Sequence, residues 1–337
     1  MMNPMARRVA LLILVLLHAP GAGAGIPTTL GAAAKKGGLS DAEIRRAETQ
    51  PHARIYEAES RGRQITIIGL AKIPASPQKI AADLKTRNGL LKSEALRQVG
   101  VFSNPPKMSD LAKYRMPEGD LETLADCEVG DCKFKLGEEG VEIAQQIDWS
   151  KPDAHDRLNE LMKQGMLELA QQYQQRGNAA LLVAVDKEEP QSFDEGSDRL
   201  TAQLGVSKDL IPKLRDHLLH YPKTKIPGAR DRILWTVRNY GYRPVTSLVH
   251  SIIYEPEQGP LAVLIAMKTL YANHYFHARQ RLIGLWTDDE DPNATWVGYS
   301  DRLLFDGDVG SIKRRMLEAG VVKNGRKRLE VLRAQYQ

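Results

Sequence analysis

The last third of the chain constrains the fold most. Residues 233–237, 245–254, 261–271, 276–286 and 296–305 are apolar, β-branched or aromatic runs of strand length. Turn-forming residues part them at Asn239-Tyr-Gly241, Glu255-Pro-Glu-Gln-Gly259 and Asp288-Asp-Glu-Asp-Pro-Asn293. Strands joined by such short connections pair with their sequence neighbours, which predicts an antiparallel meander. A basic helical segment follows Asp306-Gly307, with Ile312, Met316 and Leu317 as its expected inner face and a bend expected at Asn324-Gly325.

The first half is mixed. Residues 64–73 read as a strand, rich in Ile and Thr. Ser76 is a good N-cap, Pro77 suits the first helical position, and Ile80, Ala81 and Leu84 recur at helical spacing up to Asn88-Gly89. Residues 25–50 read as a flexible linker because Gly31-Ala-Ala-Ala-Lys-Lys-Gly-Gly38 is low in complexity; within it, Ser40 and Glu43 form a capping-box pair for a short helix over 41–48. Further strands are expected in 96–103, 121–136 and 179–185. A long amphipathic helix is expected over 154–175, from Leu158, Leu161, Met162, Leu169 and Tyr173, and a shorter one over 210–219. The reading is an α+β domain over 51–337 with a helical insertion at about 150–230.

Arg7 and Arg8 precede a short apolar run, 9–17, and small residues end at Ala22-Gly23-Ala24. That is the build of a secretory signal peptide, here 1–24. The run falls short of the ~20 residues that span a bilayer. The expected location is therefore periplasmic or secreted, with no transmembrane segment after cleavage. The net charge of +5 includes Arg7 and Arg8, so what remains is too small to argue for a nucleic-acid partner. Charge is nonetheless uneven. Residues 118–139 carry eight acids against two lysines, and 311–337 carry eight bases against two acids. The basic C-terminus is either a solvated helix face or a peripheral contact with an anionic envelope surface.

Cys127 and Cys132 are the only cysteines. Four residues lie between them and Gly130 can turn the chain, so a structural disulfide is expected in an exporting context. The spacing fits neither the C-x-x-C redox motif nor a zinc set, and no haem motif, Walker loop, G-x-S-x-G or H-E-x-x-H is present. No metal and no cofactor are expected, and the catalytic residues of any activity are unknown. His274 and His277 share an H-x-x-H spacing, but so do His217 and His220 on a polar helix. His250 and Tyr254 share a strand face with Leu248 and Ile252. Lys268 interrupts the next apolar strand, and Tyr271 and His274 follow it. If the strands are neighbours, His250, Tyr254, Lys268, Tyr271 and His274 line one surface, where polar groups on an apolar wall would orient a ligand.

The order of elements, with Ile73-Pro-Ala-Ser-Pro77 and the strands before the terminal helix, resembles the helix-grip plan of START-like lipid-binding domains. The resemblance covers 50–72 and 233–337. It implies a bent antiparallel sheet against a C-terminal helix, with a cavity between them for an apolar or amphipathic small molecule such as a lipid. The stretches from Asp126-Cys127 to Leu136 and Leu270-Tyr-Ala-Asn-His-Tyr-Phe276 also resemble a family of uncharacterised exported bacterial proteins. The alternatives are an envelope enzyme using a histidine as general acid/base, and a structural or adaptor protein of the cell envelope.

Overall fold

The computed structural model describes residues 25–50, 53–58, 62–204, 212–240, 243–306 and 311–337. The signal-peptide reading of 1–24 lies outside the described residues. The chain builds one eight-stranded antiparallel sheet flanked by helices. The strands are β1 (Arg54–Ala58), β2 (Gln64–Ile73), β3 (Leu96–Val101), β6 (Arg230–Arg238), β7 (Val245–Tyr254), β8 (Leu261–Ala272), β9 (Phe276–Thr287) and β10 (Thr295–Phe305). Their order is β1-β2-β10-β9-β8-β7-β6-β3. The meander β6 to β10 pairs in sequence order, and β10 then returns beside β2. A separate two-stranded ribbon joins β4 (Val183–Ala184) to β5 (Gln191–Ser192).

Two adjacent rows of residues define the faces of the sheet. Ile67, Asp301, Arg281, Met267 and Ser251 stand opposite one another from β2 to β7. So do Thr66, Arg302, Gln280, Lys268 and His250. Successive side chains on a strand point to opposite faces, so the two rows face opposite ways.

The β2 end of the first row lies under the C-terminal helix α9 (Ser311–Ala334), whose Leu329 and Leu332 are fully buried with Ile55, Ile65 and Ile67. The expected bend at Asn324-Gly325 does not occur; the helix is continuous. Gly325 stands where a Cβ would come within 2.7 Å of the Ile67 side chain, so its small size lets helix and sheet approach closely. Met316, expected on the inner face, is exposed, whereas Leu317 packs against the core. α3 (Pro77–Thr86) covers the same face with Ile80, Ala81 and Leu84. Ser76 caps it by accepting from the Lys79 amide at 3.4 Å, with Pro77 in the first turn.

The second row is covered as well. α1 (Thr28–Lys36) and α2 (Asp41–Thr49) bury Leu30, Ala34, Leu39, Ile44 and Ala47 against Ile68, Leu70, Leu264, Leu282 and Trp286. The linker expected over 25–50 is thus a pair of docked helices. Alanine is the best helix former, and one apolar stripe is enough to hold so short a helix to a sheet. The capping box is present as expected: Ser40 accepts from the Glu43 amide and Glu43 accepts from the Ser40 amide at 2.7 Å. α6 (Ala154–Arg176), α7 (Phe193–Ala202) and α8 (Pro212–His220) lie over β7 to β9; Tyr173, Gly196 and His217 touch His250, His277 and His250 in turn.

The strand expected over 121–136 is instead α4 (Glu118–Leu124) and an irregular loop with a single bridge between Glu128 and Asp131. The strand expected over 179–185 shrinks to the two residues of β4. α5 (Glu138–Gln145) was not foreseen. Cys127 and Cys132 are joined as a disulfide with Cα atoms 4.6 Å apart, and Gly130 takes φ +87° between them. Among the described residues, no helix is long and apolar enough to cross a membrane.

Candidate functional site

Buried charge gathers on the α9 face, where Arg279 and Arg281 of β9 alternate toward Asp301 of β10. Arg279 makes a two-pronged pair with Asp301, Nε to Oδ1 at 2.9 Å and Nη2 to Oδ2 at 2.6 Å. Arg281 Nη2 donates to the same Oδ2 at 2.9 Å and its Nε donates to the Tyr299 hydroxyl at 3.0 Å. The Tyr299 hydroxyl donates to Asp301 Oδ2 at 2.8 Å. Arg328 enters from α9, its Nη1 donating to the Tyr299 hydroxyl at 3.1 Å and standing 3.5 Å from Asp301. Arg279 Nη1 donates to the half-buried Tyr240 hydroxyl at 2.8 Å.

Arg238, at the end of β6, completes the group. It is only 7 % exposed. Its Nη1 and Arg328 Nη2 are buried and meet no acceptor among the described residues. Arg238, Tyr240, Ser247, Thr269, Arg279 and Arg281 help to line a cavity of about 30 Å³. Four guanidinium groups therefore share one ionised carboxylate in a water-poor space.

The electrostatics register that imbalance. Burial pushes the Asp301 carboxyl up, but Arg279, Arg281 and Arg328 hold it far below its ordinary range. Burial also raises the Tyr240 phenol; Arg279, Arg238, Arg328 and Arg281 overcome this and bring it down to about 7. Arg238 is pulled down to about 9, first by burial and then by Arg328, Arg281 and Arg279, with Tyr240 opposing. A guanidinium keeps its proton in proteins, so this depression measures an uncompensated positive charge. Such a pocket can hold an anion. Guanidinium forks match the paired oxygens of a carboxylate or phosphate, and Ser247 and Thr269 hydroxyls can add neutral hydrogen bonds.

The five residues picked from the sequence lie elsewhere. His250 and Lys268 are direct cross-strand partners, but they point away from α9. His250 Nε2 meets Asp231 Oδ1 at 2.8 Å and its Nδ1 meets the Tyr173 hydroxyl at 3.0 Å. Lys268 donates to Asn178 Oδ1 and, at 2.8 Å, to the Leu218 carbonyl, and sits over the Tyr173 ring. Tyr271 donates to the Lys135 carbonyl at 2.9 Å and stacks on Phe193. His274 Nε2 meets Asp120 Oδ1 at 2.7 Å; Asn273 donates to the other oxygen of that carboxylate. Tyr254 packs with the α1–α2 side of the sheet. The structure brings His250 and Lys268 together, but none of the five lines the pocket of Arg238 and Arg279. For His250 and Lys268 the reason is parity: they face Tyr173, Asn178 and Leu218, while the arginines occupy the other face.

Among the described residues, ion pairs of the basic C-terminal segment reach Asp301 through Arg328, Glu318 through Arg314 and Glu94 through Lys327. Apart from the arginine pocket, a cavity of about 50 Å³ lies between α1 and the opposite face, walled by Leu30, Leu264, Leu282 and Trp286. Ser300 and Arg302 bring polar groups to its wall, and the buried Ser300 hydroxyl meets no partner among the described residues.

Arg238, Tyr240, Arg279, Arg281, Asp301 and Arg328 were missed from the sequence. The legible signal is Arg279-Gln-Arg281 in register with Ile283 and Leu285, which puts two cations on an apolar face. The sequence matches no family model and no curated protein.

Proposed function

We propose that the chain is an exported, START-like ligand-binding protein whose ligand is a small molecule with a carboxylate or phosphate head. One observation carries the reading: among the described residues, the face that carries Asp301 holds four buried guanidinium groups against one carboxylate, and Arg238 has no carboxylate partner. Burying an unpaired charge costs several kcal/mol, so an anion bound there recovers energy the free protein forgoes. The strand order, with β10 returning beside β2 and the terminal helix lying across the sheet, supports the helix-grip reading. The disulfide supports an oxidising compartment.

The cavity of about 30 Å³ has room for the oxygens of a small anion and none for an acyl chain. A small carboxylate or phosphate ester is therefore the favoured ligand, whereas a lipid would need the cavity to open. Native mass spectrometry of the protein purified from its own compartment, followed by extraction, separates these sources. A released acidic compound is the expected result, its size telling a metabolite from a lipid. Calorimetry with inorganic phosphate and with a short-chain carboxylate then tests the site. Arg238→Met should weaken binding at least about tenfold, a loss consistent with one charge-assisted hydrogen bond. Equal binding of a neutral analogue, or full binding by Arg238→Met, overturns the reading.

A further inference from the structure

The geometry points to a divalent transition-metal site formed by His217, Asp231 and His250, on the face of the sheet turned away from the arginine pocket. The three residues come from α8, β6 and β7. One ligand atom from each lies within 4.8 Å of the other two. His217 Nε2 and His250 Nε2 stand 2.9 and 2.8 Å from the same oxygen, Asp231 Oδ1. Both imidazoles are almost wholly buried, while the Asp231 side chain is 30 % exposed.

The hydrogen bonds around the cluster set the tautomers as a metal requires. His217 Nδ1 lies 2.8 Å from the Thr224 carbonyl, which can only accept. Nδ1 therefore carries the proton, and in the neutral ring the Nε2 lone pair points straight at a carboxylate oxygen. That contact is repulsive unless a cation, proton or metal, stands between. A backbone carbonyl on the far nitrogen is also the outer-shell partner that metal-binding histidines use. His250 Nδ1 meets the Tyr173 hydroxyl, which can accept as well as donate, so His250 can present its Nε2 in the same way.

Two imidazoles and one carboxylate select a borderline ion such as Zn²⁺, Co²⁺ or Ni²⁺ over Ca²⁺ or Mg²⁺, which prefer oxygen. Bonds of about 2.0–2.2 Å require nitrogen–oxygen edges of about 3.3 Å in tetrahedral geometry. The carboxylate must therefore retreat by a few tenths of an ångström, and its partial exposure on β6 leaves room for this. The same solvent side provides the remaining coordination position for water. Three protein ligands with one open position form the arrangement of a reactive rather than a closed structural site. The nearest further charge is Lys268, which is held by Asn178 and Leu218. Tyr221 and Tyr173 wall the site, with ring centroids 4.5 and 5.6 Å from His250.

The test is titration of the chelator-treated full-length protein with Zn²⁺ by calorimetry, and with Co²⁺ by visible absorption. One saturable equivalent and a tetrahedral-type cobalt spectrum are expected. His217→Gln, Asp231→Asn and His250→Gln should each weaken Zn²⁺ binding by more than the roughly 10–100-fold loss that follows removal of an outer-shell partner. His220→Ala, an exposed neighbour on the same helix, should bind normally. Where a ligand variant fails to fold, wild-type thermal stability decides: Zn²⁺ should raise it and a chelator should reverse the gain. Absence of a saturable equivalent in the wild type overturns the assignment, as does binding lost in His220→Ala and kept in the three ligand variants.

Discussion

Asp301 and Arg238 carry opposite burdens, and single substitutions separate them. Asp301 is the one carboxylate among Arg279, Arg281 and Arg328 and is fully buried. Asp301→Asn leaves three guanidinium groups without a counter-charge, and we expect a loss of about 3–5 kcal/mol in urea unfolding. Arg238 has no such partner. Arg238→Met keeps the aliphatic bulk and removes an uncompensated charge, so its stability should match or exceed that of the wild type. An uncompensated charge that costs stability at a cavity wall is free to bind an anion. If Arg238→Met instead destabilises strongly, Arg238 is a structural residue and the pocket loses its main argument.

At the scale of elements, α9 is a pillar of the core and lends Arg328 to the charged cluster. Leu329 is fully buried against the sheet, so Leu329→Ala should cost about 2–5 kcal/mol. Met316, 59 % exposed on the same helix, should tolerate alanine within about 0.5 kcal/mol. Equal effects would mean that α9 does not dock as described. The contrast also shows where sequence reasoning stops. The caps at Ser40 and Ser76 were legible because a cap is decided within four residues. The five strands of the last third were legible because each is long and bounded by turn residues. α1 was not, because Ala32-Ala-Ala34 shows no periodicity of its own; its helix is fixed by docking on Leu264 and Trp286, far away in sequence. The choice of face for α9 held at Leu317 and missed at Met316, since only the partner surface says which stripe turns inward; the Ile312 side chain lies outside the described residues. His250 and Lys268 were correctly placed on neighbouring strands and on one face. Which face held a charged pocket depended on Arg238, Asp301 and Arg328, from three elements up to 90 positions apart in the sequence.

For the whole molecule, the arginine pocket gives stability an unusual pH profile. Tyr240 has its folded pKa near 7, below its ordinary 10.0. Between those values the unfolded chain binds the phenol proton and the folded chain does not, so stability rises with pH across that window. Tyr114 works in the opposite sense. It is wholly buried, and burial lifts its phenol well above the ordinary range, with the Thr246 hydrogen bond opposing. Its contribution is complete below 10 and declines as pH climbs above 10. The Tyr240 rise therefore falls between pH 7 and 10, and the Tyr114 decline lies above it. Urea midpoints from pH 6 to about 11 give the curve, and phenolate absorbance gives the titration directly. One tyrosine should ionise near neutrality in the wild type, and none should in Tyr240→Phe, whose stability should rise less steeply than that of the wild type from pH 7 to 10, the remaining rise coming from Lys268, which burial brings down to about 8. A bound anion beside Arg238 and Arg279 takes up the positive charge that Tyr240 otherwise shares. Saturating ligand should therefore move the Tyr240 titration back toward 10 and shrink the alkaline rise. If ligand binds and leaves that titration in place, the ligand sits somewhere other than beside Arg238.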